Sequence, residues 1–133
     1  MARPLSLDTS FLIDLQRERR QGAAGPAHRF LERAGESELH LSVVVLAEMV
    51  QGLSGPDHPA VRALRDTHVI HPLDEDVAVL YGRLARELRE QGTPIGSNDL
   101  WIGAGALHHG HPLVTADADT FERIPGLEVV RYR

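Results

Sequence analysis

The sequence predicts a single α/β domain built on a parallel sheet with helices on both faces. Three observations carry that expectation. Short apolar stretches that read as strands alternate along the chain with longer stretches of helical period, the pattern of strand–helix–strand units. The 133 residues suffice for one proper core and are too few for two, so residues 1–133 form one domain. No repeat, low-complexity tract or long linker interrupts them.

The elements follow in order. Residues 3–8 alternate and read as the first strand, and a helix over 9–20 opens with Thr9 or Ser10 as its N-cap. Gly22 and Gly25-Pro26 break it before a second helix over 26–35. Residues 38–43 read as a strand, 43–53 as a helix stopping before Ser54-Gly55-Pro56, 58–66 as a short helix and 68–71 as a strand. Asp74 caps the clearest helix, 75–91, whose Val77, Leu80, Tyr81, Leu84 and Leu88 recur at helical spacing. Gly92 ends it and Pro94 follows. Ser97 then caps a helix over 98–109, in which Gly103 and Gly105 permit close packing. A strand at 112–115, a helical turn at 119–123 and a last strand at 127–131 complete the chain. Right-handed crossovers follow from parallel pairing.

Composition narrows the function. The chain has no cysteine, which excludes disulfides and thiolate metal sites and suits a reducing compartment. The opening residues form neither a signal peptide nor a membrane span, so a cytoplasmic location is expected, with no membrane partner. Fourteen basic residues, all arginine, against nineteen acidic ones give a net charge of −5. That balance argues against broad, charge-driven nucleic-acid binding while leaving room for local contact.

Four carboxylates stand apart from the rest. Asp8 is the only charge between Pro4 and Ile13, Glu48 the only one from Ser42 to Leu53, and Asp99 the only one from Ile95 to Leu107. Asp117 follows the apolar strand that ends at Thr115. A lone carboxylate in an apolar element is costly to bury without a partner, and a divalent cation serves several at once. Asp8 and Asp117 also fall at strand ends, where open parallel sheets bind ligands. An all-oxygen set favours Mg²⁺ or Mn²⁺ over zinc. Each acid alone has a plainer reading: a strand end for Asp8, a dipole-favoured first-turn acid for Asp99, a turn residue for Asp117. Glu48 resists one, since its own helix carries no arginine.

These residues carry a family resemblance. LDTSFLIDL, VVLAEMVQGL, PIGSNDLWIGAGAL and HPLVTADADTFERIPGLEVV, in that order, resemble the blocks of PIN domains, specifically the VapC branch of toxins from type II toxin–antitoxin pairs. The likeness runs nearly end to end. It implies a PIN-like fold with sheet order 3-2-1-4-5, and Asp8, Glu48, Asp99 and Asp117 as metal ligands. Thr115 would help place a water or the substrate, and Asp119 stands close enough to share the role of Asp117. One or two Mg²⁺ or Mn²⁺ ions would activate a water that hydrolyses an RNA phosphodiester, leaving a 5′-phosphate and a 3′-hydroxyl. The resemblance further implies a homodimer held inactive by a small antitoxin, a basic side chain of which would enter the carboxylate pocket.

The competing readings are weaker. A phosphatase with a nucleophilic Asp8 wants a second Asp where Ser10 stands, and a receiver domain needs a lysine that the chain lacks. A non-catalytic RNA-binding or interaction module on the same fold is the alternative from another class; retention of all four acids weighs against it. The His108-His109-Gly110-His111 run reads as a solvated turn, Asp14 as a surface acid, Trp101 as core, and the arginines at 17, 19, 20, 83, 86 and 89 as charged helix surface.

Overall fold

The computed structural model describes residues 2–133. Five parallel strands make one sheet: β1 (Leu5–Leu7), β2 (Leu39–Ser42), β3 (Val69–His71), β4 (Leu113–Thr115) and β5 (Val129–Arg131). Their order is β3-β2-β1-β4-β5, as expected. The two central strands are buried along their whole length, whereas the edge strands β3 and β5 are partly exposed. That gradient matches the apolar character of LSL and LVT, which are covered on both faces. Strands are shorter than the sequence suggests: only three residues of the expected 3–8 stretch join the ladder.

Seven helices flank the sheet: α1 (Thr9–Gln21), α2 (Pro26–Ala34), α3 (Val43–Gly52), α4 (Pro59–Thr67), α5 (Glu75–Glu90), α6 (Ser97–His109) and α7 (Ala118–Phe121). Asp74 caps α5 as expected, its carboxylate accepting from Val77 N at 2.9 Å. Two other caps move by one residue. The N-cap of α1 is Asp8, not Thr9 or Ser10, and that of α6 is Gly96, not Ser97. Asp8 makes no side-chain cap bond because its carboxylate is committed across the sheet.

Two buried acids organise the α1 side. Glu18 accepts from the backbone N–H groups of Gly25, Ala27 and His28 at 2.8–3.0 Å and so holds the start of α2. Burial opposes its charge, but the His28 backbone and ring, Ala27 and Gly25 hold its pKa down to about 2. Asp14 is not a surface acid. It is 3% exposed and bonded to Tyr132 Oη and Arg133 Nε, each at 2.5 Å, and to Arg17. Burial opposes its ionisation too, and these partners outweigh it, lowering the pKa. Asp14 thus ties the C-terminal residues to α1.

The glycines of α6 differ. A Cβ on Gly103 would meet Ile124 Cδ1 at 2.3 Å, while one on Gly105 meets nothing within 4 Å. Only Gly103 is needed for close packing. We expect Gly103→Ala to destabilise the fold by about 1–3 kcal/mol. Gly105→Ala should be neutral or stabilising by up to ~1 kcal/mol. Urea unfolding of the two variants side by side checks the contrast.

Candidate active site

The strand order reverses between β1 and β4, which lie side by side, so that β2 and β1 separate β3 from its successor β4. The crevice beyond the carboxyl ends of such strands is where a parallel sheet offers a site. Asp8 follows β1 there, and Asp117 follows β4 by two residues.

A hydroxyl network joins the two strand ends. Thr115 Oγ1 donates to Asp8 Oδ2 at 2.7 Å, and Ser10 Oγ donates to the same oxygen at 2.9 Å. Ala116 N donates to Ser10 Oγ at 3.1 Å and Asp117 N to Thr115 Oγ1 at 2.9 Å. Tyr132 Oη donates to Asp14 Oδ2 at 2.5 Å and lies 3.1 Å from Ser10 O, which links this network to Asp14. The loop after β4 is therefore fastened to the start of α1 by short-range bonds in which every hydroxyl is used.

The other two acids arrive on helices. Val45 and Met49 bury one stripe of α3 and leave Glu48 half-exposed at its border. Thr9 Oγ1 donates to Glu48 Oε1 at 2.6 Å, fixing α3 to the first residue of α1. Asp99 stands half-buried in the first turn of α6, one residue before buried Leu100.

The Asp99 carboxyl is pushed up to about 6 by burial first, then by the charges of Asp8, Glu48 and Asp117. A helix N-terminus alone would act the other way. Asp8 is also raised: burial dominates, the Thr115, Ser10 and Thr9 hydrogen bonds oppose it, and Glu48 adds to it. Asp99 thus feels the charges of the other three expected acids, two of which leave the adjacent strands β1 and β4. Asp119 points to another duty, since it is exposed and paired with Arg131 at 3.1 Å. Ser10 and Thr9 were not singled out in the sequence. Their signal was only their closeness to Asp8, and a cap was the simpler use for them.

The expected solvated turn is only partly so. His108 is exposed, but His109 and His111 fold inward against other histidines. Trp101 is half-buried and stacks on Tyr81 with ring centroids 3.8 Å apart.

Comparison with known proteins gives a consistent result. The model of the PIN domain family matches residues 5–127. Ribonuclease VapC1 of Haemophilus influenzae strain R2866 is 32% identical over 128 residues, covering 92% of each chain. Among solved structures, VapBC-1 from nontypeable Haemophilus influenzae superposes with a TM-score of 0.78 at 28% identity, over 99% of this chain and 98% of that one. VapBC2 from Rickettsia felis, bound to a DNA fragment from its promoter, gives a TM-score of 0.78 at 26% identity over the whole of both chains.

Proposed function

Because the chain belongs to the PIN-domain family, in its VapC branch, we propose that it is a toxin endoribonuclease whose divalent-metal site is Asp8, Glu48, Asp99 and Asp117. The observation that carries the site is that Asp8 and Asp117 leave the adjacent strands β1 and β4 at their carboxyl ends, with Asp99 raised by burial and by the charges of Asp8, Glu48 and Asp117. Carboxylates that repel one another are a site for a cation, and an all-oxygen donor set suits Mg²⁺ or Mn²⁺. When bound, such an ion supplies activation of the attacking water and relief of charge on the phosphate.

The chain's own groups prepare that chemistry. Ser10 and Thr115 fix one oxygen of Asp8, and Thr9 fixes one of Glu48, so neither carboxylate needs to reorganise. Thr115 is fully buried with its hydroxyl spent on Asp8 and on the Asp117 backbone. We assign it a positioning role rather than contact with water or substrate. Asp117, not Asp119, completes the quartet, because it is the charge that Asp99 feels. The proposed reaction is in-line hydrolysis of an RNA phosphodiester, leaving a 5′-phosphate and a 3′-hydroxyl.

The reading extends to regulation and assembly. The proposed partner is a small VapB-type antitoxin, in keeping with the VapBC complexes the chain superposes on. We include a homodimer in the proposal. None of the helices among the described residues is long and apolar enough to cross a membrane, and a cytoplasmic site of action is part of the proposal.

RNA cleavage with and without EDTA tests the activity. Cleavage that chelation abolishes and Mg²⁺ or Mn²⁺ restores supports the proposal; binding without cleavage would return the non-catalytic module. Thermal melting adds a second check. Millimolar Mg²⁺ or Mn²⁺ should raise Tm, by about 2.7 kcal/mol of stability at a hundredfold excess over Kd, because only the native state binds the ion. The shift should shrink in Asp8→Asn and Glu48→Gln.

A further inference from the structure

A second cluster of ligating side chains lies away from the carboxylates. His40 sits in mid-β2, buried on the sheet face, and His71 ends the neighbouring strand β3. The αL turn at Gly110 (φ 72°) closes α6 and swings His111 back beside them. One ring nitrogen of each of the three lies within 4.8 Å of the others. His109, in the last turn of α6, stacks on His71 with centroids 3.9 Å apart. Three separate segments are needed to bring these rings together.

The hydrogen bonds define the tautomers. Glu38 Oε1 is 2.5 Å from His40 Nε2, so Nε2–H donates to the carboxylate. With that ring neutral, His40 Nδ1 bears the lone pair and accepts from His71 Nε2–H at 2.6 Å. A carboxylate behind an imidazole is the usual arrangement for a metal-binding histidine. Ser6 Oγ, 3.2 Å from His111 Nδ1, supplies the matching support for the third ring. Neutral imidazole is the ligating form.

We propose that His40, His71 and His111 form a second metal site, taking a borderline transition-metal cation such as Zn²⁺. Imidazole nitrogens select such ions, and the carboxylates select Mg²⁺ or Mn²⁺, so the two sites differ in chemistry. They also differ in place. Asp99 and His109 are ten residues apart on α6, about 15 Å along the helix axis. To bind, His71 moves its proton from Nε2 to Nδ1 by exchange with water. The His40 and His71 nitrogens part from 2.6 Å to the roughly 3.3 Å implied by Zn–N bonds of ~2.0–2.1 Å in tetrahedral geometry. Water takes the fourth position. The ion then clamps β2 and β3 to the turn between α6 and β4. Nothing in this proposal depends on the ribonuclease reading.

The test is titration with Co²⁺, whose visible absorption reports nitrogen-rich tetrahedral coordination, followed by competition with Zn²⁺. One equivalent should give strong bands that stoichiometric Zn²⁺ bleaches and millimolar Mg²⁺ does not. The bands should persist in Asp99→Asn. They should vanish in the His71→Gln/His111→Gln double variant, and Glu38→Gln should weaken Co²⁺ binding by about 10–100-fold. The wild-type imidazole C–H resonances of the three histidines should shift on adding Zn²⁺, a readout that needs no variant to fold. Absent bands, unshifted resonances, or bands kept by the double histidine variant but lost in Asp99→Asn would each overturn the site.

Discussion

Asp99→Asn is expected to reduce RNA cleavage by about three orders of magnitude, because a metal ion's stabilisation of the transition state amounts to several kcal/mol. Asn keeps the shape at the first turn of α6 and removes one of the four charges proposed to hold the ion. The same change should stabilise the metal-free fold. With its folded pKa raised to about 6 from an ordinary carboxylate value, Asp99 binds more protons in the native than in the unfolded state between about pH 4 and 6. Stability therefore falls as pH rises through that window, and at pH 7 the ionised carboxylate is a net cost. Asp99 is half-exposed, so screening reduces that cost to order 1 kcal/mol, or about 2–4 °C in Tm. Without metal at pH 7 the variant should melt above the wild type, and at pH 4 the two should converge. Addition of Mn²⁺ should reverse the ranking at pH 7. A folded variant that cuts RNA at a near wild-type rate would remove Asp99 from the proposed site.

Local signals and long-range consequences divided unequally between sequence and structure. The helices were legible because their period, caps and breakers are local: Asp74 caps α5 as its position before an apolar-periodic run requires. Asp8, Glu48 and Asp99 were legible as candidates because each is the sole charge in an apolar stretch, a pattern that burial makes costly, and Asp117 because it follows the apolar strand β4. Asp14 misled because its partners, Tyr132 and Arg133, lie at the other end of the chain. Nothing near residue 14 signals that an arginine and a tyrosine will bury it. The resemblance put Thr115 at the site, whereas Ser10 read only as a helix cap. Their convergence on Asp8 Oδ2 depends on β1 and β4 being adjacent. The histidines misled for the same reason. His40 and His71 are 31 residues apart and meet only through the pairing of β2 with β3, so the run at 108–111 looked like a turn.

A VapB-type antitoxin should inhibit by sending an arginine into the quartet, and that arginine should dominate its affinity. An apolar groove of about 320 Å³, lined by Phe11, Leu12, Leu15, Met49 and Leu64 on the α1, α3 and α4 side, offers a partner segment anchorage apart from the acids. The arginine is what answers the carboxylates. Its planar fork meets carboxylates bidentately, which an ammonium cannot do. Four metal-free carboxylates, one of them already raised to about 6, gain from any cation, so arginine and divalent metal compete for one pocket. Truncating the arginine to alanine should weaken the complex by about 2–5 kcal/mol, at least thirtyfold, since a charged partner is left buried and unpaired. The partner that co-purifies from the native host supplies the segment for calorimetry with and without Mn²⁺. Affinity should fall as Mn²⁺ rises, and Asp99→Asn should weaken the complex and blunt that dependence. Affinity indifferent to Mn²⁺, to the arginine and to Asp99→Asn would mean that the antitoxin inhibits without entering the quartet.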